Sequence, residues 1–157
     1  MPRVDRQVLK NKDKIIKDIS DFTDTKNILA EREELKPYET DGLTAYKQTP
    51  MFVVLPETTE EVSKILSYCN KNKIKVVPRG AGTGLAGSAL PLADCILLGL
   101  GKFNKILEID YKNRCVVAQP GVTNLSITHA VQNQGFYYAP DPSSQIACSI
   151  GGNVAEN

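Results

Sequence analysis

The chain has 157 residues, and its 41% of hydrophobic and 24% of charged side chains are typical of about one globular domain. Nineteen basic side chains against 18 acidic ones leave a formal net charge of +1, which argues against a nucleic-acid partner and against electrostatic binding to an anionic membrane. The charged start of the chain is followed by no apolar run, and the apolar stretch at 96–100 is far too short to span a bilayer. We therefore expect a cytoplasmic protein that binds any anionic ligand through a local site.

The four cysteines are widely spaced along the chain. They are Cys69, Cys95, Cys115 and Cys148, and none belongs to a Cys-x-x-Cys pair. A zinc site, an iron–sulfur cluster or a redox dithiol would need closer spacing. We therefore predict no metal site and expect the thiols to be reduced.

The first 45 residues are predicted to form a helical leader that lies on the main domain. This lysine-rich segment carries apolar residues at a spacing that places them on one helical face. They are Val8, Ile15, Ile16, Ile19 and Phe22. The remaining residues, 46–157, are assigned to one α/β domain.

From residue 51 the pattern changes to short β-type runs separated by helices. Runs at 52–55 and 74–77 flank a helical stretch, which predicts a βαβ unit. Thr58 and Glu61 have the spacing of a capping box at the start of that helix. The core face of the helix is predicted to carry Val62, Ile65, Leu66 and Cys69.

The second half of the chain continues with predicted strands at 95–98, 106–110 and 115–119. A second helix is predicted at about 123–133, with Gly135 as its C-terminal stop. A loop rich in proline and serine comes next, and Ser149-Ile150-Gly151-Gly152-Asn153 is interpreted as a second glycine-rich loop. Because the chain stops within this motif, we expect a domain that is truncated at its C-terminus.

The most informative segment is the glycine-rich loop at 78–91, which comes directly after a predicted strand. Glycines reach positive φ angles and allow backbone N–H groups to converge on a phosphate. Residues 82–87 also satisfy Gly-x-Gly-x-x-Gly, but a Rossmann site requires a helix that starts within the loop and an acidic residue about 20 positions later. Pro91 would interrupt such a helix, which disfavours NAD. A glycine-rich turn without a ligand stays open as an alternative.

The ordered motifs of the chain resemble the PCMH-type FAD-binding domain of vanillyl-alcohol-oxidase-type flavoproteins. Within that superfamily, they resemble the FAD-binding subunits of bacterial glycolate oxidases and the related D-lactate dehydrogenases. The motifs lie at 53–56, 78–85, 119–122, 138–144 and 149–157, and the leader adds 33–43. The resemblance implies an α/β (α+β) fold with a first βαβ subdomain, the start of a second one, and FAD as the cofactor.

The resemblance also implies which residues contact FAD. Backbone amides of the first loop would wrap the pyrophosphate, and a second segment would complete the grip. The first group is Arg79, Gly80, Ala81, Gly82, Thr83, Gly84, Leu85, Gly87 and Ser88, and the second is Pro140, Asp141, Ser144, Ser149, Gly151, Gly152, Asn153 and Val154. For Arg79 an alternative stays open, a surface charge that pairs with an acidic neighbour.

The attachment of FAD is expected to be noncovalent. Some relatives bind FAD covalently through a histidine of the first loop, where this chain has Thr83. The single histidine, His129, is predicted to be an ordinary helix residue. Tyr137 and Tyr138 are interpreted as packing residues, with a place near the flavin as the alternative.

The implied activity is the oxidation of a 2-hydroxy acid, glycolate or D-lactate, to the 2-oxo acid by hydride transfer to FAD. The catalytic residues are unknown, because substrate binding is expected to need a missing C-terminal part. The resemblance also implies companion oxidase subunits, one of them with iron–sulfur clusters, that bring the protein to the inner face of the membrane. The alternative is a catalytically inactive remnant or partner-binding module with weak or no FAD binding.

Overall fold

A four-stranded, mostly parallel sheet occupies the middle of the molecule. The computed structural model describes residues 3–140 and 142–156, and the strands of this sheet are β1 (Ile28–Leu29), β2 (Phe52–Val54), β3 (Lys75–Arg79) and β4 (Cys95–Gly99). Their order is β1-β2-β4-β3, with β2, β4 and β3 parallel and β1 antiparallel to β2. Strands β2 and β4 are buried along their whole length, which explains their uninterrupted apolar sequences.

The leader packs into the same core as the sheet. Its helices are α1 (Arg6–Lys10), α2 (Lys12–Ile19) and α3 (Arg32–Leu35). As the apolar spacing predicts, Ile15 and Ile19 are buried, and they share a cluster with Phe52 of β2 and Ile96 of β4. The leader is not wholly helical, however, because it also supplies the edge strand β1. A two-residue strand carries no periodic signal of its own and forms through pairing with β2.

Helix α4 (Thr59–Asn72) connects β2 to β3 and confirms the predicted βαβ unit. The two strands are parallel but are not neighbours, because β4 lies between them. Thr58 Oγ1 accepts a hydrogen bond from the Glu61 amide at 3.2 Å. The Glu61 carboxylate accepts from the amide of Glu57 at 2.8 Å, one residue before the partner that a capping box uses.

The core face of α4 is narrower than the sequence predicts. Ile65 and Cys69 are almost completely buried against the sheet, whereas Leu66 is 44% exposed. Each residue turns a helix by about 100°, so Leu66 is rotated away from the sheet that its neighbour Ile65 contacts. The predicted place of Leu66 on the core face is therefore wrong.

A second, smaller unit comes after the sheet. Strands β5 (Ile106–Asp110) and β6 (Cys115–Ala118) form an antiparallel pair, and helix α5 (Asn124–Val131) comes after them. A 3-10 turn extends α5 to Gln134, and Gly135 ends it with a φ of +76°. These elements agree with the predicted strands, helix and stop signal.

The second glycine-rich segment is a helix and not a loop. Helix α6 spans Ile150–Glu156, although each glycine costs about 1 kcal/mol relative to alanine in a helix. Tertiary contacts explain the difference: the Gly151 amide donates to the carbonyl of Pro120 at 2.8 Å. A Cβ on Gly151 would lie 2.6 Å from Pro120 Cβ, so close packing requires glycine at this position.

None of the helices within 3–140 and 142–156 is long and apolar enough to cross a membrane. The same residues hold no group of three or more His, Cys, Asp or Glu side chains that could bind a metal ion. All four cysteines are free, and Cys115 alone is exposed. Burial raises the pKa of Cys69 and of Cys95 to about 11, so both thiols are protonated at neutral pH.

Candidate functional site

A cleft of about 460 Å³ opens between the glycine-rich loop after β3 and the start of α6. Pockets for small molecules and cofactors generally fall between about 300 and 1,000 Å³. Two groups of predicted residues meet in it across about 65 positions of sequence, as the resemblance implies. The predicted residues that line it are Arg79, Gly80, Ala81, Gly82, Thr83, Gly84, Ser88, Ser144, Ser149, Gly151, Gly152 and Asn153.

Other residues line the cleft that the sequence did not indicate. They are Pro78, Ala89, Leu100, Pro120, Cys148, Ala155 and Glu156. A usable signal existed for Leu100, which comes directly after β4. Because the carboxyl ends of parallel strands meet at one edge of a sheet, the residue after β4 lies beside the end of β3, and its amide donates to the Arg79 carbonyl at 2.9 Å.

Some of the predicted residues do not line the cleft. Leu85 and Val154 are 74% and 78% exposed, and Gly87 and Pro140 are not among the lining residues. Asp141 lies outside the described residues. Some residues of the loop point toward the cleft and others point toward solvent. The sequence motif does not show which residues point which way.

The first loop presents bare backbone to the cleft because its glycines are sterically required. A Cβ on Gly80 would collide with Ser149 Oγ, and a Cβ on Gly82 would lie 2.5 Å from Arg79 Cζ. Gly82 also has a φ of +71°, a conformation that residues with a Cβ rarely adopt. Both the close contact of the two segments and the path of the loop therefore depend on these glycines.

Arg79 is buried beneath the loop, with only 8% of its surface exposed. Its Nη1 donates to the carbonyl of Thr40 at 2.6 Å, and its guanidinium lies 5.7 Å from the centre of the Tyr38 ring. Burial lowers the pKa of Arg79, and the nearby charge of Asp41 opposes that change. Arg79 is thus neither an exposed charge nor half of a surface ion pair, and its side chain contacts the leader.

An acidic side chain, Glu156, also reaches into the cleft. Its carboxylate accepts a hydrogen bond from Ser88 Oγ, and a Cβ on Gly84 would lie 3.4 Å from Glu156 Oε1. A carboxylate is an unexpected neighbour for a loop that presents N–H groups to an anion. Here Glu156 occupies the hydroxyl of Ser88, which lines the cleft.

Asn153 fixes α6 to the neighbouring helix. Its Nδ2 donates to Asn124 Oδ1, and Asn124 Nδ2 donates to the Pro140 carbonyl at 3.2 Å. Asn124 is only 1% exposed, and both polar atoms of its buried side-chain amide are partnered by these two hydrogen bonds. The Asn153 side chain is therefore engaged in holding the second wall of the cleft in place.

The aromatic and histidine residues considered from sequence lie away from the cleft. Tyr137 and Tyr138 line a separate cavity of about 500 Å³ together with Tyr111 and Phe136. His129 is an exposed residue of α5, as predicted. Neither tyrosine lines the cleft of the glycine loop.

Comparison with known proteins assigns the chain to a family. The sequence profile of the FAD binding domain family matches residues 50–157, which is more than half of the chain. The chain belongs to this FAD-binding family. FAD is accordingly the cofactor of the domain.

Curated relatives of this FAD-binding family match the chain over most of its length. Glycolate oxidase subunit GlcD of Escherichia coli (strain K12) is 56% identical over 130 residues, which cover 83% of this chain and 26% of that protein. The mitochondrial D-2-hydroxyglutarate dehydrogenase of Arabidopsis thaliana is 35% identical over 144 residues, which cover 90% of this chain and 26% of that protein. The chain thus spans about a quarter of the length of these relatives.

A solved structure confirms the PCMH-type fold. The structure of p-cresol methylhydroxylase with substrate bound superposes with a TM-score of 0.79 over 92% of this chain and 29% of that protein. The sequence identity is 24%, so this likeness concerns the fold alone.

The geometry of the cleft fits the FAD-binding family. Gly80, Gly82 and Gly84 line the cleft without side chains, and Cβ atoms on Gly80 and Gly82 would collide with Ser149 Oγ and with Arg79. Exposed N–H groups of such a loop bind an anion without a basic side chain. The cleft can therefore accept the pyrophosphate of a dinucleotide.

Proposed function

We propose that this chain holds the pyrophosphate of FAD noncovalently, as the cofactor-binding portion of an oxidoreductase that acts on 2-hydroxy acids. The observation that carries the proposal is the meeting of two glycine-containing backbone segments, 80–84 and 151–152, across one cleft. Thr83 stands where a covalent link would need a histidine, which supports noncovalent binding. The proposed contacts include Leu85, Gly87, Pro140, Asp141 and Val154 only if the ligand extends beyond the cleft.

The residues of the cleft would divide the work of binding. Backbone N–H groups of the first loop would donate to the phosphate oxygens, and the hydroxyl groups of Ser88, Ser144 and Ser149 stand at the same opening. When bound, FAD supplies the acceptor for a hydride. The protein supplies binding and orientation through these groups.

The proposed substrate class is the 2-hydroxy acids. The matched relatives are named for glycolate and for D-2-hydroxyglutarate, and these two compounds share a hydroxyl group next to a carboxylate. We assign no catalytic residue to the described chain, and the groups that bind the substrate carboxylate would lie in the three quarters of each relative that the chain does not match. Relatives named as oxidoreductases give no support to the alternative of an inactive remnant.

The same proposal includes partners and location. GlcD is named as a subunit of glycolate oxidase, which supports companion subunits, and the proposal includes an iron–sulfur subunit among them. Such partners would hold the protein at the cytoplasmic face of the membrane. The net charge of +1 gives no support to nucleic acid as a partner.

Titration of the purified chain with FAD tests the binding proposal. We expect the visible spectrum of the flavin to shift with saturation, the melting temperature to rise with FAD concentration, and acid precipitation to release all of the flavin. The variant Gly101→Ala, in which nothing lies within 4 Å of the added Cβ, should bind FAD as the wild type does. A folded chain that shows neither the spectral shift nor the stabilisation would contradict the proposal.

A chimera tests the proposed activity. Residues of this chain would replace the matched 26% of E. coli GlcD, and the chimera would be assayed with glycolate, D-lactate and D-2-hydroxyglutarate and an artificial electron acceptor. We expect oxidation of at least one of these acids with FAD bound. A chimera that binds FAD but oxidises none of them would remove the activity proposal and leave the binding proposal intact.

A further inference from the structure

A segment of the leader, residues 38–43, lies against the glycine loop, and we refer to it as the leader strap. A Cβ on Gly42 would lie 2.5 Å from the carbonyl oxygen of Thr83 and 2.7 Å from that of Gly84. Leu43 Cδ2 would be 3.7 Å from a Cβ on Gly87. The strap therefore contacts the loop at two points, and at Gly42 the contact is backbone against backbone.

The contact at Gly42 shows which way the carbonyl groups of the loop point. Peptide bonds of the described residues are all trans, so within one peptide unit the C=O and the N–H point in opposite directions. Because the carbonyls of Thr83 and Gly84 face the strap, the N–H groups of Gly84 and Leu85 point away from it. An anion site requires N–H groups that are turned outward in this way.

Arg79 joins the strap to both ends of the loop. It is the last residue of β3, directly before the loop. Its Nη1 donates to the carbonyl of Thr40 in the strap at 2.6 Å and to the carbonyl of Ala89, after the glycines of the loop, at 3.5 Å. It also fills the space beneath Gly82. A planar guanidinium with five donors suits this position because it can serve several carbonyls at once.

Asp41 supplies a negative charge within the strap. It is only 5% exposed, its Oδ1 accepts from the Leu43 amide at 2.9 Å, and its Oδ2 has no hydrogen-bond partner in the described residues. Leaving a carboxylate oxygen buried without a partner is unfavourable. Its negative charge favours the protonated form of the buried Arg79, which gives this carboxylate a role.

We propose that the leader strap, with Asp41, Gly42 and Arg79, is a positioning element of the FAD site. It holds the glycine loop with its amides turned toward the cleft, and Arg79 acts through the loop without contacting the phosphates. This inference rests on the proposed function, because it assigns the strap to the same site. It makes the leader part of the cofactor machinery.

The variant Asp41→Asn separates positioning from direct charge pairing. If Arg79 contacted the phosphates, removal of the competing carboxylate would strengthen FAD binding. If Arg79 positions the loop, the same change weakens binding, even though it removes a negative charge near an anionic ligand. We expect FAD affinity to fall by about tenfold, because Asn keeps an acceptor for the Leu43 amide but removes the negative charge that favours the protonated Arg79; unchanged or tighter binding would overturn the proposal.

Hydrogen exchange provides a test that does not depend on FAD. We expect Gly42→Ala to accelerate exchange of the Leu90 amide, which donates to the Gly87 carbonyl of the loop at 3.2 Å, by at least about tenfold relative to the wild type, with Gly101→Ala as the control that leaves it unchanged. Arg79→Lys keeps the charge but loses the planar fork, and we expect an intermediate acceleration. Equal exchange in all variants would contradict the proposal.

These two measurements also distinguish the inference from the proposed function. If the wild-type chain binds no FAD but Gly42→Ala accelerates exchange, the proposal of FAD binding is wrong and the leader strap still orders the loop. If the wild-type chain binds FAD but exchange is unaltered in Gly42→Ala, the proposal of FAD binding stands and the positioning role of the leader strap is wrong.

Discussion

At the scale of single residues, the cleft depends on the side chains that are missing from it. Gly82 is constrained twice, because its φ of +71° disfavours a Cβ and because Arg79 occupies the space where a Cβ would lie. The two constraints have different consequences. Backbone strain lowers the stability of the chain wherever it occurs, whereas a displaced Arg79 alters the loop that forms the site.

The variant Gly82→Ala should therefore lose FAD binding beyond what strain alone explains. The matched control is Gly135→Ala, since Gly135 has a similar φ of +76° with nothing within 4 Å of a Cβ. We expect both variants to lose roughly 1–2 kcal/mol in the free energy of unfolding, measured in urea without FAD. Only Gly82→Ala should lower FAD affinity, by tenfold or more, and equal affinities in both variants would show that the Arg79 contact has no bearing on the site.

Glu156 provides a second test at this scale, because its carboxylate accepts a hydrogen bond from the Ser88 hydroxyl, a group that we propose for the phosphates of FAD. The variant Glu156→Gln keeps an acceptor for Ser88 and removes the negative charge. We expect FAD to bind several-fold more tightly, with a larger gain at low ionic strength, because salt screens the repulsion that is lost. Glu60→Gln, on the exposed face of α4, is the control and should leave FAD affinity unchanged. If the gain in affinity of Glu156→Gln did not depend on ionic strength, an electrostatic cause would be excluded.

At the scale of elements, local patterns in the sequence predict most strands and helices but miss those that depend on tertiary contacts. Strands β2 to β6 and helices α4 and α5 were predictable from apolar runs, caps and stop signals. Strand β1 exists because it pairs with β2, and α6 is helical although it contains Gly151 and Gly152, because it packs against Pro120. The two walls of the cleft were predicted from their glycines, but the roles of Arg79 and Glu156 depend on side-chain directions that no spacing in the sequence specifies.

Asp94 joins three elements and predicts how stability depends on pH. It is only 2% exposed, and its Oδ2 accepts from the Asp5 amide before α1 at 2.6 Å and from Lys75 Nζ of β3 at 2.7 Å. Burial opposes its ionisation, but these hydrogen bonds outweigh burial and lower the pKa of Asp94. Because the folded state has the lower pKa, the stabilisation is present above the unfolded value of 3.8 and is lost as the pH falls through the folded value.

We expect Asp94→Asn to lower the free energy of unfolding by roughly 1–3 kcal/mol at pH 7. The difference from the wild type should shrink steadily below about pH 4, as the wild-type carboxylate becomes protonated. Urea unfolding at pH 7 and at pH 3 measures both values. In a double-mutant cycle with Lys75→Met, the two changes should not be additive, and a cost of Asp94→Asn that stays constant with pH would rule out ionisation as its cause.

At the scale of the whole molecule, the leader and the FAD-binding region share one hydrophobic core. Ile19 of the leader and Ile65 of α4 are both fully buried in the same cluster. A further link is Tyr68 of α4, whose hydroxyl donates to Asp18 Oδ2 at 2.7 Å and whose ring meets Phe22 edge to face at 5.9 Å. The family match begins at residue 50, close to the boundary between leader and domain that we predict after residue 45. The packing shows no gap there, because residues on both sides share one core.

We therefore expect the leader and the FAD-binding region to unfold in one cooperative transition. Ile19→Ala and Ile65→Ala should each lower the free energy of unfolding by about 2–5 kcal/mol, and Leu66→Ala, on the exposed side of α4, by less than about 1 kcal/mol. Hydrogen exchange measured at increasing urea reports the leader and the remaining residues separately, and both should show the same opening free energy in each variant.

A different result for Ile19→Ala would change the account of the cleft as well as that of the fold. If the leader opened before the sheet in this variant, the strap at 38–43 would detach while the glycine loop kept its sequence and its strand. FAD affinity would then fall in parallel with the fraction of opened leader, since the backbone contact at Gly42 would be lost. Cooperative unfolding predicts instead that affinity per folded molecule stays constant in Ile19→Ala, and FAD titration at urea concentrations below the transition distinguishes the two cases.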